Sequence, residues 1–198
     1  MKTKITISFL VINCCFLLAI NKTVHAQQSP AAPAQAEQTK PPNAADANPA
    51  DVSSLDTILK SIYEVISGDA GVKRDWNRFR SLFYAGARLI PSSKNREGKV
   101  TARVITPEEF IERSAPFLEK EGFFEREIAR RVENYGNIAH VFSTYDSKHK
   151  ASDEKPFARG INSIQLFNDG KRWWILTIAW SPETPDTPLP KKYLKNDK

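Results

Sequence analysis

The residues that could carry out acid–base chemistry in this sequence are carboxylates in the predicted strands. Three of them, Glu125, Glu127 and Glu133, alternate with apolar residues along one strand. Successive side chains of a strand point to opposite faces. Apolar neighbours that face the core would therefore leave these acids in solvent, paired with nearby cations. The same alternation directs Arg126 and Arg130 inward, where they could bind an anion or pack their stems on the sheet.

Polar and aromatic side chains elsewhere could line a ligand pocket. The six candidates are Asn162, Thr177, Ser143, Tyr145, Phe79 and Phe83. Asn162 is the best polar candidate, although a buried Asn that bonds neighbouring backbone is an equal alternative. Tyr145 could instead be a packing residue with an exposed hydroxyl. The two phenylalanines could instead belong to the core between helix and sheet.

Metal, cofactor and nucleophile sites are not predicted. His140 and His149 are the histidines that follow the N-terminal segment, and no acid or cysteine cluster accompanies them to complete a set of ligands. The sequence has no Gly-rich phosphate loop, nucleophile elbow or zinc-binding helix motif. We therefore expect no metal and no cofactor.

Residues 1–26 have the pattern of a secretory signal peptide. Lys2 and Lys4 precede a mostly apolar run over 5–20, and Ala26 marks the expected cleavage point. The run is shorter than the ~20 residues of a membrane helix, although a retained N-terminal anchor is the alternative. We expect an exported protein, periplasmic or secreted, with no transmembrane span after cleavage. Both cysteines lie in this segment, so we expect no disulfide in the mature chain.

Composition divides the rest of the chain into three parts. Residues 27–50 are rich in Ala, Pro, Gln and Asn and lack large apolar groups, as expected for a disordered spacer. Residues 51–190 are long enough for one domain, and 191–198 form a basic tail. Lys and Arg outnumber Asp and Glu by 29 to 23, but the excess lies in the signal segment and the tail. A basic face that binds nucleic acid is therefore not expected on the domain.

The domain begins with helices. Residues suited to cap three of them are Asp51 or Ser53, Asp75, and Thr106. The apolar residues from 55 to 66 are spaced for one buried helix face. Thr106 and Glu109 have the pattern of a capping box, and Pro116 is expected to kink or split the helix that they begin.

The second half of the domain is predicted to be a sheet. Strands are expected over 87–91, 100–105, 123–135 and 138–145, and in a hairpin over 159–180. Asp169-Gly170 suits a two-residue turn, which places Asn162 opposite Thr177. One face of this hairpin then changes from large and apolar to small and polar, as in a core that opens into a cavity. The other face is apolar enough to predict a covered surface, such as a homodimer interface.

Three stretches carry a family resemblance: Arg74-Asp-Trp-Asn-Arg-Phe within 74–90, Tyr135-Gly-Asn-Ile-Ala-His within 135–145, and Arg159-Gly-x-Asn-Ser-x-Gln-Leu, followed by Trp173-Trp-Ile. Together they resemble the nuclear-transport-factor-2-like (SnoaL-like) superfamily over residues 51–190. The resemblance implies an α+β cone, in which a curved antiparallel sheet with helices on one face wraps a pocket, often in a dimer. Members include isomerases, dehydratases, polyketide cyclases and non-catalytic binding or assembly modules.

The positions at which catalytic members of that superfamily carry a base lack an acid here. The stretch that corresponds to the first-strand base is Leu89-Ile90-Pro91-Ser92, and the one acid of the closing hairpin is Asp169, in the predicted turn. We therefore expect an exported, non-catalytic module that binds an apolar small molecule or a partner, because acid–base catalysis needs a positioned titratable group. The alternative is an isomerase, dehydratase or hydrolase that uses Tyr145, Asn162 or Arg159. A carboxylate that points into the cavity would reverse this preference.

Overall fold

The computed structural model of the protein describes residues 46–195. The predicted signal peptide (1–26), most of the predicted spacer and the end of the basic tail lie outside these residues. The first helix begins at Pro49, within the predicted spacer, and Lys191–Tyr193 form a short 3-10 helix at the start of the tail. None of the helices within 46–195 combines the length and the apolar character that a membrane span requires.

The described residues form four α-helices and a six-stranded sheet. The elements are α1 (Pro49–Val52), α2 (Leu55–Ile66), α3 (Trp76–Ser81), β1 (Phe83–Lys94), β2 (Val100–Ala102), α4 (Pro107–Glu121), β3 (Phe124–Tyr135), β4 (Ile138–Lys148), β5 (Ala158–Asn168) and β6 (Trp173–Pro182). The strand order is β2-β1-β6-β5-β4-β3. The predicted α+β class is confirmed. The sheet is mixed, because β1 lies parallel to β6 and every other pair is antiparallel.

Two helices start where their capping residues predict. Thr106 and Glu109 form the reciprocal hydrogen bonds of a capping box at the start of α4, and the Asp75 side chain caps α3. These bonds satisfy backbone N–H groups that have no partner within the helix. Pro116 does not split α4, which continues to Glu121.

The cap of α2 is neither of the two predicted residues. It is Ser54, which forms a capping box with Thr57. Asp51 belongs to α1, where its buried carboxylate accepts two hydrogen bonds of 2.9 Å from Arg78 and one of 3.0 Å from Ser61. The hydrogen bonds from Arg78 hold the pKa of Asp51 below its usual range. This ion pair connects α1 and α2 to α3.

The closing hairpin, β5–β6, has a different register from the predicted one. Four residues, Asp169–Arg172, connect the strands where two were predicted, and a β-bulge further along the ladder shifts β6 again. Asn162 therefore lies opposite Trp180, and not opposite Thr177. A register shift by an odd number of residues exchanges the two faces of a strand, so Thr177 moves to the face opposite that of Asn162.

Arg74 is a buried cation that joins α2, the following loop and α4. Its guanidinium donates hydrogen bonds to the carbonyl oxygens of Ile66 (3.0 Å), Gly68 (2.6 Å) and Leu118 (3.0 Å). It also donates to the carbonyls of Asp69 and Val72. The planar fork of an arginine can serve several acceptors at once. Arg74 therefore holds the C-terminal half of α4 in place over the sheet.

The start of the predicted tail packs on the outer face of the sheet, away from α2 and α4. The Tyr193 ring contacts Phe142 with centroids 5.0 Å apart, and its carbonyl accepts a hydrogen bond of 2.6 Å from Thr144. Arg131 donates to the carbonyl of Lys192 at 2.7 Å. These contacts are to β3 and β4, beside the hairpin residues that pair with β4, and a homodimer that covers the hairpin face stays a prediction.

Candidate functional site

A cavity of about 330 Å³ lies between α2, α4 and the inner face of the sheet. Most of its lining is apolar: Ile62, Ile66, Phe79, Leu89, Phe110, Phe117, Leu118, Phe123, Ile164, Ile178 and Trp180. Its polar lining comprises Tyr63, Arg113, Ser114, Glu125, Tyr145 and Asn162. An apolar concave site with a few converging polar groups is typical of a small-molecule site.

Glu125 places a carboxylate in the wall of this cavity. It accepts a hydrogen bond of 2.8 Å from Ser147 and a longer one of 3.5 Å from Asn162. Burial raises the pKa of Glu125 to about 7, although these two hydrogen bonds act in the opposite direction. Burial disfavours the charged form of a carboxyl group. At neutral pH both the acid and its conjugate base are therefore populated.

The prediction that Glu125 and Glu127 face away from the core is wrong. A β-bulge between Glu127 and Ala129 interrupts the regular pairing of β3 with β4. Both acids precede the bulge and lie on the inner side, where they bond Ser147 and Ser143. The extra residue brings Arg130, which follows the bulge, to the same side. Arg126, which was predicted to point inward, is exposed and pairs with Asp146 at 2.9 Å.

A chain of hydrogen bonds continues from Asn162 through the base of the site. The Asn162 amide donates to the Tyr63 hydroxyl at 3.0 Å, and the Tyr63 and Ser143 hydroxyls are 2.7 Å apart. Ser143 donates to the Glu127 carboxylate at 2.5 Å. Because the Ser143 proton is given to Glu127, the proton between the two hydroxyls comes from Tyr63. Burial raises the pKa values of Tyr63 and Glu127.

Tyr145 contributes a second tyrosine hydroxyl, which does not belong to this chain of hydrogen bonds. It packs against Gly160, where an added Cβ would lie 2.5 Å from the hydroxyl oxygen. Within residues 46–195 no hydrogen bond engages this hydroxyl. Burial and the charge of Glu125 raise the pKa of Tyr145, so the hydroxyl keeps its proton at neutral pH and can donate it to a ligand.

The six predicted pocket residues lie in three different places: in the cavity lining, in the core behind it, and on the outer face of the sheet. Asn162, Tyr145 and Phe79 line the cavity. Ser143 is fully buried one layer behind it, and Phe83 packs in the core, with its ring 4.8 Å from that of Phe79. The placement of Thr177 in the pocket is wrong: it lies opposite the exposed Gln165 on the outer face, because the hairpin register differs.

Arg159 and His140, two other residues that the sequence singles out for possible chemistry, lie outside the cavity lining. Arg159 pairs with Glu183 at 2.8 Å and does not line the cavity. His140 contacts the Ser163 hydroxyl at 3.0 Å. Among the described residues, no group of three or more His, Cys, Asp or Glu side chains could hold a metal ion.

A polar groove of about 490 Å³ lies on the other side of Glu125, between α2 and β3. Glu125 and Tyr63 line both the groove and the apolar cavity. The other polar residues of the groove include Lys60, Glu64 and Ser67. Glu125 therefore contributes to the walls of two spaces, one lined mostly by apolar residues and one lined mostly by charged and polar residues.

The described residues form an α+β domain in which a mixed six-stranded sheet and helices enclose a mostly apolar cavity. No protein-family model and no curated protein matches the chain. Solved structures match with low identity. An NTF2-like protein of unknown function from Silicibacter pomeroyi is 14% identical over 66% of this chain and 94% of its own, with a TM-score of 0.44.

Two other matches come from Nostoc punctiforme and Methylobacillus flagellatus. The first, a protein of unknown function with a cystatin-like fold, is 11% identical over 74% of this chain and 100% of its own, with a TM-score of 0.49. The second, an NTF2-like protein of unknown function, is 12% identical over 66% and 95%, with a TM-score of 0.40. The α+β fold that the predicted resemblance implies is present in the described residues, and any function has to be argued from the site.

Proposed function

We propose that this domain is an enzyme that moves a proton at carbon on a small apolar substrate, as an isomerase or dehydratase does. The observation that carries the proposal is Glu125, a carboxyl group in the wall of an apolar cavity with a pKa raised to about 7. A general base works best when its pKa lies near the working pH. The sequence favours a non-catalytic module because it offers no positioned acid, and the position of Glu125 supports the alternative.

The chemistry that the site supports is removal of a proton from a carbon next to a carbonyl group. Ionised Glu125 takes the proton, and negative charge develops on the carbonyl oxygen. The Tyr145 hydroxyl makes no hydrogen bond within residues 46–195, so it can donate one to this oxygen and stabilise the charge. Tyr63 is unsuited to this task because its proton is directed to Ser143. Return of the proton from Glu125 to another carbon of the same substrate completes an isomerisation.

The polar groove supports the same role. Because Glu125 also lines the groove, its proton can exchange with water there while the apolar cavity holds the substrate. Exchange of this kind makes proton abstraction observable even when no net reaction occurs. Deuterium from the solvent would then enter the substrate at the abstracted position.

Deuterium incorporation from D2O into β-tetralone, an apolar ketone with acidic C–H bonds, is the direct test. We expect the protein to accelerate incorporation, with a rate that rises as Glu125 ionises and levels above about pH 7. Glu125→Gln is expected to lower the rate by about a hundredfold or more, the usual contribution of a general base. Tyr145→Phe is expected to lower it by less. Glu133→Gln, which changes an exposed acid of the same strand, is the matched control.

Two results would contradict the proposal. Binding of β-tetralone without acceleration would favour the non-catalytic ligand-binding module, which the apolar lining also suits. Acceleration that survives in Glu125→Gln would assign the chemistry to another group.

We also propose that the domain acts after export. The support is the pattern of residues 1–26, where Lys2 and Lys4 precede an apolar run that ends before Ala26. N-terminal sequencing of the protein from the periplasm or medium of an expressing bacterium tests this proposal. A mature chain that begins near position 27 is expected, and an uncleaved cytoplasmic chain would refute it.

A further inference from the structure

Among residues 46–195, one cationic side chain lines the cavity. Arg113 lies on α4 and is exposed at the rim. Within residues 46–195, no hydrogen bond or ion pair engages its guanidinium. Glu109 lies one turn earlier on the same helix. Its pKa is lowered mainly by hydrogen bonds from Thr106 and also by the charge of Arg113. The Glu109 carboxylate is committed to the capping box, with a bond of 2.8 Å from the backbone of Thr106.

Charge is therefore distributed unequally around the cavity lining. Arg113 is the cationic residue of that lining and Glu125 is the acidic one, and most of the other lining residues are apolar. An anionic group would be repelled by ionised Glu125 and attracted by Arg113. The cavity volume of about 330 Å³ has room for roughly eleven water-sized groups, which is the size of a compound with two fused rings.

We propose that the substrate is a small apolar carboxylate, whose anionic group pairs with Arg113 at the rim while its apolar body fills the cavity. This inference rests on the proposed function, because the pairing directs the end of the substrate that lacks the charge toward Glu125. An arginine guanidinium matches a carboxylate through two parallel hydrogen bonds. Arg113 would thus select the substrate and set its orientation, without taking part in proton transfer.

Binding of β-naphthoate and of the neutral, similarly shaped β-naphthamide, measured by isothermal titration calorimetry, tests the proposal. We expect the protein to bind the carboxylate about fivefold more tightly than the amide, in keeping with a solvent-exposed charge pair. Arg113→Gln is expected to remove this preference with little effect on the amide, and Arg113→Glu to reverse it. Arg96→Gln changes an exposed arginine outside the cavity lining and should keep the preference.

The outcomes separate this inference from the proposed function. Equal affinity for the two probes, or a preference that Arg113→Gln retains, would overturn the role of Arg113. The proposed function would still stand if Glu125→Gln abolished deuterium exchange. Failure of both probes to bind, together with normal exchange of β-tetralone, would also overturn the inference. Failure of binding and of exchange would overturn both.

Discussion

The replacement Glu125→Gln should change how the stability of the domain depends on pH. The pKa of Glu125 rises from an ordinary value of 4.5 to about 7 in the folded protein. At roughly 1.4 kcal/mol per pKa unit, burial of the ionised carboxylate destabilises the fold by about 3 kcal/mol. The penalty is absent below pH 4.5, grows between 4.5 and about 7, and is complete above that range. The neutral amide in the variant does not carry this penalty.

Urea unfolding of the two proteins between about pH 5 and 8.5 measures the effect. Relative to the wild type, the variant should gain about 2.5 kcal/mol of unfolding free energy over this interval, once the part already present at the lower pH is subtracted. Glu133→Gln changes an exposed glutamate on the same strand. Its unfolding free energy should depend on pH in the same way as that of the wild type. A constant difference between Glu125→Gln and the wild type across the interval would refute the burial of an ionisable Glu125.

Three further changes test the structure around the site by urea or thermal unfolding. Asp51→Asn leaves Arg78 without its buried partner and should lower the free energy of unfolding by about 3 kcal/mol. Because the pKa of Asp51 is lowered in the folded protein, the stability that this pair contributes should be lost as the pH falls below the ordinary value of 3.8. Gly160→Ala would place a Cβ 2.5 Å from both the Tyr145 hydroxyl and the Ser181 carbonyl oxygen and should cost about 1–3 kcal/mol through overpacking. An unchanged midpoint would refute these close contacts. Arg74→Met leaves several carbonyl oxygens without their donor and should cost at least about 3 kcal/mol, whereas a loss below about 1 kcal/mol would refute the role of Arg74 as an anchor of α4.

Much of the fold follows from local rules that the sequence expresses directly. Thr106 and Glu109 are spaced for a capping box, and the structure contains that box. The alternation and the turn residues between Arg159 and Trp180 predict a hairpin, and β5 and β6 form one. Each of these features depends on residues that are close in sequence, so their pattern is sufficient.

The candidate site could be predicted only in part, because its geometry depends on β-bulges. Alternation along β3 places Glu125 in solvent, but the bulge after Glu127 changes the face of the later residues. The same kind of error moves Thr177 to the wrong face of β6. A bulge has no reliable mark in a single sequence, and one extra residue exchanges the faces of a strand. Tyr63 was missed for another reason: on α2 it is spaced like an ordinary core residue.

The energetic cost of Glu125 is itself an argument about function. In a cavity that only had to hold an apolar ligand, a neutral side chain that accepts the hydrogen bonds of Ser147 and Asn162 would avoid the cost of burying a charge. Ser147 and Asn162 compensate the carboxylate only partly, since its pKa remains near 7 after their hydrogen bonds are formed. A buried acid that keeps both of its protonation states populated at neutral pH suits the proton transfer that we propose. The stability measurement on Glu125→Gln and the exchange measurement on the same variant therefore test one idea from two sides: the change that strengthens the fold should be the change that removes the chemistry.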